Sequence, residues 1–156
     1  MAGTVTGSIA GSLFFLHFSR DIPDLISIAD YKPATVTKVL GKADVVVGEF
    51  YEERRYIIPE EQIADIVIKS FIAAEDDRFL DHQGIDFIGM IRAAFVNLKA
   101  GHVVQGGSTI TQQVAKSLLL TPERSFTRKI KEVIVASRME KNLSKKDILY
   151  LYLNQI

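Results

Sequence analysis

The sequence predicts a mostly α-helical domain with a short β element and an N-terminal transmembrane helix. From residue 59 onward, apolar residues recur at the three- and four-residue spacing of helices. Two β-branched runs lie between residues 36 and 51, and residues 1–18 carry no formal charge. The 156 residues, 47% hydrophobic and 24% charged, suffice for one folded core, which excludes a disordered chain. Because there is no cysteine, disulfide frameworks and thiolate metal sites are excluded.

The first element is the uncharged N-terminal run, which is at the lower length limit for crossing a bilayer. Gly3, Gly7 and Gly11 repeat at four-residue spacing, a pattern that lets membrane helices approach closely. A signal peptide would have a basic start and a small-residue cleavage site, and neither is clear here. The sequence therefore predicts a membrane anchor over residues 1–19, with a buried or disordered tail as the alternative.

A membrane-proximal linker is predicted next, over residues 20–58. Within it, Val36–Leu40 and Val45–Tyr51 are separated by Gly41–Asp44, which predicts a β-hairpin. The second strand is unusually apolar, so we expect one of its faces to pack against another part of the molecule.

Residues 59–156 are predicted to form the helical domain. The stripe of the first helix comprises Ile63, Ile66, Val67, Ser70, Phe71 and Ala74. The apolar positions of the second helix are Phe87, Met90, Ile91, Ala94, Phe95 and Leu98, and its predicted N-cap is Asp86.

Cap residues also predict where the last three helices start. Ser108 is expected to cap a helix over residues 109–120, and Ser125 or Thr127 to start a longer one that ends near residue 141. The final helix is expected to follow a capping box that begins at Ser144 and has Asp147 in the place of the usual glutamate.

Charge is segregated along the chain although the net charge is zero. Residues 21–98 contain 15 acidic and 8 basic side chains, whereas residues 99–146 contain 3 acidic and 10 basic ones. This asymmetry indicates an anionic partner for the second half. A set of solvated helix faces is the alternative.

Three polar clusters are candidates for chemistry. In the first, an apolar helix leads directly into Glu75, at the negative end of the helix dipole, which makes this carboxylate a candidate general base. Arg78 and His82 are candidates to orient it. The alternative is an acidic, solvated helix end.

The second cluster is a glycine pair followed by serine and threonine at a helix start, where free backbone N–H groups can bind an anion. It could equally be an ordinary turn. The third cluster concentrates four cations within eight residues, between Arg124 and Lys131. A phosphate groove would need these cations turned inward, whereas Arg128 and Glu132 could simply form a surface pair.

Taken in order, these clusters resemble family 51 glycosyltransferases, the peptidoglycan polymerase domain of class A penicillin-binding proteins and monofunctional transglycosylases. The first motif of that family matches Glu75, Asp76, Phe79, His82 and Gly84. The second matches residues 106–113, the third matches Arg128, Lys129 and Glu132, and the opening of the fourth matches residues 151–156.

The resemblance implies a lysozyme-like helical lobe that joins lipid II units into glycan strands with release of undecaprenyl diphosphate. Glu75 would be the catalytic general base, and Glu132 a second catalytic acid that orients cations or a divalent metal (Mg or Mn), although no cofactor is required. The implied substrate-binding residues are Asp76, Phe79, His82, Ser108, Thr109, Gln112, Gln113, Lys116, Arg124, Arg128, Lys129 and Asn154.

The resemblance also implies a single-pass protein of the bacterial inner membrane with its catalytic domain on the outer side. Its partners would be lipid II, the growing glycan, the bilayer and other cell-wall synthesis and division proteins, with no role for nucleic acid. The sequence stops inside the fourth motif, so we expect an incomplete domain. Two alternatives stay open: a lysozyme-like lytic enzyme, and an inactive membrane-anchored fragment.

Overall fold

The computed structural model describes residues 18–19, 22, 35–119 and 125–155. In these ranges the main elements are two strands and five α-helices. The strands are β1 (Thr37–Leu40) and β2 (Val46–Phe50), and the helices are α1 (Asp65–Glu75), α2 (Phe87–Ala100), α3 (Ile110–Leu119), α4 (Phe126–Asn142) and α5 (Lys145–Gln155). Short 3-10 turns occupy Lys42–Asp44 and Glu60–Gln62. The predicted mostly helical fold with one short β element is confirmed.

The two strands form the predicted antiparallel hairpin. Thr37 pairs with Phe50, and a register shift next to Leu40 leaves Val47 as a bulge. The expectation that the apolar second strand packs against another part is wrong for the described residues, because Val46 and Val47 are exposed.

The core lies among α3, α4 and α5, because these helices carry apolar residues on the faces they turn toward one another. Phe79, from the loop that follows α1, inserts its ring into this core and is fully buried. α1 adds Ile68 and Ile72 at the edge. The buried cluster comprises Phe79, Ile110, Val114, Ala115, Val135, Met139, Ile148, Leu149 and Tyr152.

Most helix starts follow the predicted caps. The side chain of Asp86 accepts from the N–H of Ile88, and that of Ser125 accepts from the N–H of Arg128. Ser144 and Asp147 bond to each other's backbone N–H as a capping box.

The predicted cap of α3 is wrong by one residue. Thr109, not Ser108, accepts the N–H of Gln112 at its hydroxyl, and the side chain of Gln112 accepts the N–H of Thr109 in return. This reciprocal pair satisfies two backbone donors at the helix start, so the side chain of Ser108 is left for other contacts.

The apolar stripes predicted for α1 and α2 are mostly exposed, although the ring of Phe71 in α1 packs edge-on against Tyr152 of the core. Ile66 and Val67 of the α1 stripe are exposed, and Ile68 and Ile72, outside that stripe, pack inward. In α2 the only buried residue is Ala93, while Phe95 and Leu98 are 71% and 81% exposed. Periodicity locates an apolar face of a helix but does not show what covers it.

The predicted membrane anchor lies almost wholly outside the described residues. Among the residues that the structure describes, no helix has both the length and the apolar character needed to cross a bilayer.

Candidate active site

Glu75 is the last residue of α1, as predicted from the sequence. Its side chain is exposed, and its Oε2 accepts a hydrogen bond of 3.1 Å from Nε2 of Gln113, in the first turn of α3. The neutral amide of Gln113 orients the Glu75 carboxylate without bringing a positive charge to it. The proposed orienting role of Arg78 and His82 is wrong, because Arg78 lies near Asp86 and His82 bonds to Asp76.

Asp76 follows directly but turns inward, because α1 ends between the two carboxylates. Its Oδ2 accepts the backbone N–H of Ile110, the first residue of α3, at 3.0 Å. Nε2 of His82 lies 3.0 Å from both carboxylate oxygens, and Nδ1 of His82 accepts the N–H of Gly84. This leaves the imidazole proton on Nε2, where it is donated to Asp76. The buried Asp76–His82 pair therefore fixes the end of α1 against the start of α3.

A polar cavity of about 150 Å³ opens beside Glu75. Its walls include the end of α1, one face of α2 and the loop that precedes α3. The guanidinium of Arg92, on α2, donates two hydrogen bonds to the carboxylate of Asp77, at 2.8 and 2.9 Å. These bonds join the α2 wall of the cavity to the end of α1. The residues that line the cavity at the end of α1 and before α3 include Glu75, Asp76, Gly106, Gly107, Ser108 and Thr109.

The loop before α3 is held by Asn97. Its Oδ1 accepts the backbone N–H groups of Val104 and Gln105, and its Nδ2 donates to the carbonyl of Gln105. These three bonds fix the backbone immediately before the glycine pair, Gly106 and Gly107. The sequence did contain a signal for Asn97 and Arg92, since both are polar residues in a mainly apolar helix, but neither was predicted to act in the site.

Cations of α4 lie on the other side of the α3 start. Nζ of Lys129 donates to Ser108 Oγ at 3.0 Å and to Glu132 Oε2 at 2.8 Å, and it lies 3.5 Å from Gln112 Oε1. Arg128 donates to the other oxygen of Glu132. Because Glu132 is 3% exposed, the alternative of a surface Arg128–Glu132 pair does not apply.

Burial lowers the pKa of Lys129, and the neighbouring charges of Arg128 and Lys116 lower it further. The contact with Glu132 acts in the opposite direction, since a carboxylate favours the charged amine. Lys129 is therefore a partly desolvated cation among other cations, which is suited to receive an anionic group.

Glu132 does not fit the binding of a divalent metal. Both of its oxygens are occupied by cationic partners, which would repel a metal ion. Among the described residues, no three His, Cys, Asp or Glu side chains are grouped as a metal would require. The metal stays an untested prediction, and no chemical step is derived through it.

The remaining predicted substrate-binding residues occupy varied positions. Phe79 is in the core, Thr109 is 2% exposed and caps α3, and Lys116 is exposed on α3. Asn154 binds the backbone of Ile58 and Tyr150, which ties the segment before α1 to α5. Arg124 lies outside the described residues. Substrate contact by these residues stays a prediction.

The sequence of the chain is similar to proteins of one known family. The family model described as Transglycosylase matches residues 43–156. The chain is 42% identical to penicillin-binding protein 1A of Escherichia coli strain K12 over 149 residues, 94% of the chain and 18% of that protein. It is 44% identical to the protein of that name in Rickettsia prowazekii over 89% of the chain and 18% of the relative. For Aquifex aeolicus the identity is 41%, over 99% of the chain and 21% of the relative.

The chain thus spans about a fifth of the length of these relatives. The matched region includes both the Glu75 side of the cavity and the cationic side. The resemblance predicted from the four motifs is confirmed: this chain belongs to the transglycosylase family.

Proposed function

We propose that this chain is the peptidoglycan glycosyltransferase part of a class A penicillin-binding protein, with a lysozyme-like helical lobe, which polymerises lipid II into glycan strands. The observation that carries the proposal is that a carboxylate and a group of cations lie on two sides of one helix start. Gln113 of α3 binds Glu75, and Ser108, just before α3, binds Lys129. A sugar-transfer reaction with an anionic leaving group needs both.

In the proposed reaction Glu75 acts on the acceptor sugar. Its carboxylate takes the proton of the acceptor 4-hydroxyl as the oxygen attacks the anomeric carbon of the donor. The bond from that carbon to the diphosphate oxygen breaks with inversion, and the electron pair leaves with undecaprenyl diphosphate. A diphosphate is stabilised by neighbouring positive charge and needs no proton from a general acid.

Lys129, Arg128 and Lys116 are proposed to stabilise the leaving diphosphate. Burial of Glu132 between Arg128 and Lys129 holds these two cations on the α3 side of α4, and this counter-charge limits their mutual repulsion. Arg124 is proposed to join them. Ser108 and Gln112 would place the donor, since both are within reach of Lys129.

The lytic alternative fits the site less well. A lysozyme-type enzyme uses a glutamic acid to protonate the oxygen of the bond it cleaves, and its substrate has no diphosphate. Such an enzyme has no use for the half-buried cations that surround the buried Glu132. The assay described next tests both the lytic alternative and the alternative of an inactive fragment.

The assay supplies lipid-linked precursor to the full-length protein and to its Glu75→Gln variant. We expect Glu75→Gln to lower the polymerisation rate by about 10²- to 10⁴-fold, the usual contribution of a general base. Glu61→Gln, an exposed glutamate on the turn before α1, is the matched control and should polymerise at the parent rate. The readout is the yield of long glycan on gels.

Other outcomes select among the alternatives. Polymer from Glu75→Gln at the parent rate would remove Glu75 from the role of base. Degradation of preformed glycan by the parent would favour the lytic enzyme. A parent with neither activity would favour the inactive module.

We further propose that the protein is anchored in the bacterial inner membrane, with this domain on its outer side. Support comes from the apolar side chains of α2, because Phe87, Ile91, Phe95 and Leu98 are all exposed on the helix that forms one wall of the cavity. An exposed apolar surface of this kind is suited to a lipid-linked substrate and a bilayer.

A further inference from the structure

A largely buried ion pair lies behind the site and has no part in the proposed reaction. Nζ of Lys145, the first residue of α5, is 2.8 Å from Oε1 of Glu140, in the last turn of α4. The two side chains are 25% and 5% exposed. Neither residue lines the cavity beside Glu75, and neither belongs to the cationic group around Glu132.

This pair touches the loop that follows Glu75, residues 76–84. Nζ of Lys145 donates to the carbonyl of His82 at 2.6 Å, and it lies 4.4 Å from the centroid of the Phe79 ring. The hydroxyl of Thr111, on α3, donates to Oε1 of Glu140 at 2.5 Å. One ion pair thus connects three helices to a single loop.

Helix electrostatics do not favour either residue where it lies. A cation at the first position of α5 faces the positive end of the helix dipole, and a carboxylate in the last turn of α4 faces the negative end. A buried ion pair is often no more stabilising than apolar side chains of similar size. Fold stability alone is therefore a weak reason for this pair, and its contacts with the loop give it a more specific role.

We propose that Glu140 and Lys145 are positioning residues for Glu75. Lys145 holds loop 76–84 through the His82 carbonyl and the Phe79 ring, and Glu140 together with Thr111 holds Lys145. Because Glu75 is joined directly to this loop, movement of the loop shifts its carboxylate. The inference rests on the proposed function of Glu75, although the contact between Lys145 and the loop can be tested separately.

The test compares Lys145→Met with the double variant Glu140→Gln/Lys145→Met in the full-length protein. Both should lower kcat for glycan polymerisation by about 10²-fold, the size of effect that a displacement of about 1 Å can cause. The KM for lipid II should stay near the parent value, because neither residue lines the cavity beside Glu75. Lys146→Met is the matched control and should keep the parent kcat, since Lys146 is exposed and pairs with Glu60.

The double variant separates positioning from folding. Lys145→Met alone leaves a buried carboxylate without its cation, so its melting temperature should fall. The double variant removes both charges and should recover most of that loss while kcat stays low. Recovery of kcat together with the melting temperature would show a purely structural pair and overturn the proposal.

Hydrogen exchange tests the contact between Lys145 and the loop without an activity assay, so it stays informative if the proposed function is wrong. Hydrogen exchange of the backbone amides in residues 76–84 should accelerate in Lys145→Met and in the double variant, but not in Lys146→Met. Unchanged exchange would overturn the inference whatever the assay gives. A parent that makes no polymer, with accelerated exchange in the variants, would overturn the proposed function and leave Lys145 as the support of the loop.

Discussion

Glu75 and Asp76 are adjacent carboxylates with opposite environments. The sequence predicts the helix end at Glu75, because the apolar periodicity stops there. It does not predict that Asp76 is buried, because the partners of Asp76 are a backbone N–H group 34 residues away and a histidine 6 residues away. Local patterns fix local structure, whereas the pairing of distant polar groups depends on how the helices pack. The orientation of Glu75 by Gln113 was missed for the same reason.

Lys129 gives the site a testable dependence on pH. Its pKa is lowered from the ordinary 10.5, so the amine loses its charge at a lower pH than an exposed lysine does. kcat/KM for the lipid-linked donor, which reports the free enzyme, should therefore fall as pH rises through this lowered pKa. Lys129→Arg keeps its charge over this range and should move the alkaline fall to higher pH.

The measurement is a profile of kcat/KM against pH for the parent and for Lys129→Arg. An alkaline fall at the same pH in both proteins would assign it to another group. The free energy of unfolding should change with pH in the opposite direction to the activity. Because the unfolded chain binds more protons between the two pKa values, burial of Lys129 costs less stability as pH rises.

At the scale of elements, helix starts are the best-predicted features of this chain. Asp86, Ser125 and Ser144 cap the helices as the sequence indicates, because capping depends on residues within one turn. The start of α3 differs by one residue, since Ser108 and Thr109 are both good caps. The neighbouring contacts choose Thr109, whose hydroxyl also reaches the carbonyl of Gly84.

This division between Ser108 and Thr109 predicts opposite phenotypes for two adjacent substitutions. Thr109→Val removes a cap and a buried hydrogen bond and should cost about 1–3 kcal/mol of the free energy of unfolding. Ser108→Ala should change that free energy by less than about 0.5 kcal/mol, as is usual for exposed positions. It should instead weaken donor use, because Ser108 holds Lys129.

Chemical denaturation of both variants, with KM for lipid II, would check this pair of predictions. Equal losses of stability would contradict the assignment of Thr109 as the cap. An unchanged KM in Ser108→Ala would remove Ser108 from the donor side.

At the scale of the whole molecule, the anionic partner indicated by the charge asymmetry of the sequence stays a prediction, although two cations of the basic half do meet at Glu132. The sequence also located the apolar faces of α1 and α2, but it did not show which surface, if any, covers them. Periodicity cannot distinguish a face that packs on the core from one turned outward, because both have the same spacing. The core instead forms among α3, α4 and α5, where Val114, Val135 and Ile148 are all buried.

The outward face of α2 predicts contact with lipid. A fluorophore attached at Leu98→Cys in the full-length protein, reconstituted in vesicles that contain brominated lipid, should be quenched strongly. Leu98 is 81% exposed, so labelling should not disturb the fold. The control is Lys141→Cys, an exposed position near the end of α4, whose label should be quenched weakly. Equal quenching at both positions would contradict a lipid-facing α2.

Gly84 has a consequence for recognising inactive relatives. Its φ of +87° suits glycine, and an added Cβ would lie 3.0 Å from the backbone of Ala136 in α4. A side chain at this position would push the loop away from α4 and from the pair formed by Glu140 and Lys145. A homologous gene that kept its glutamate but encoded a larger residue here would be expected to produce a pseudoenzyme. Surveys that classify active polymerases by the acid alone would count such a gene wrongly.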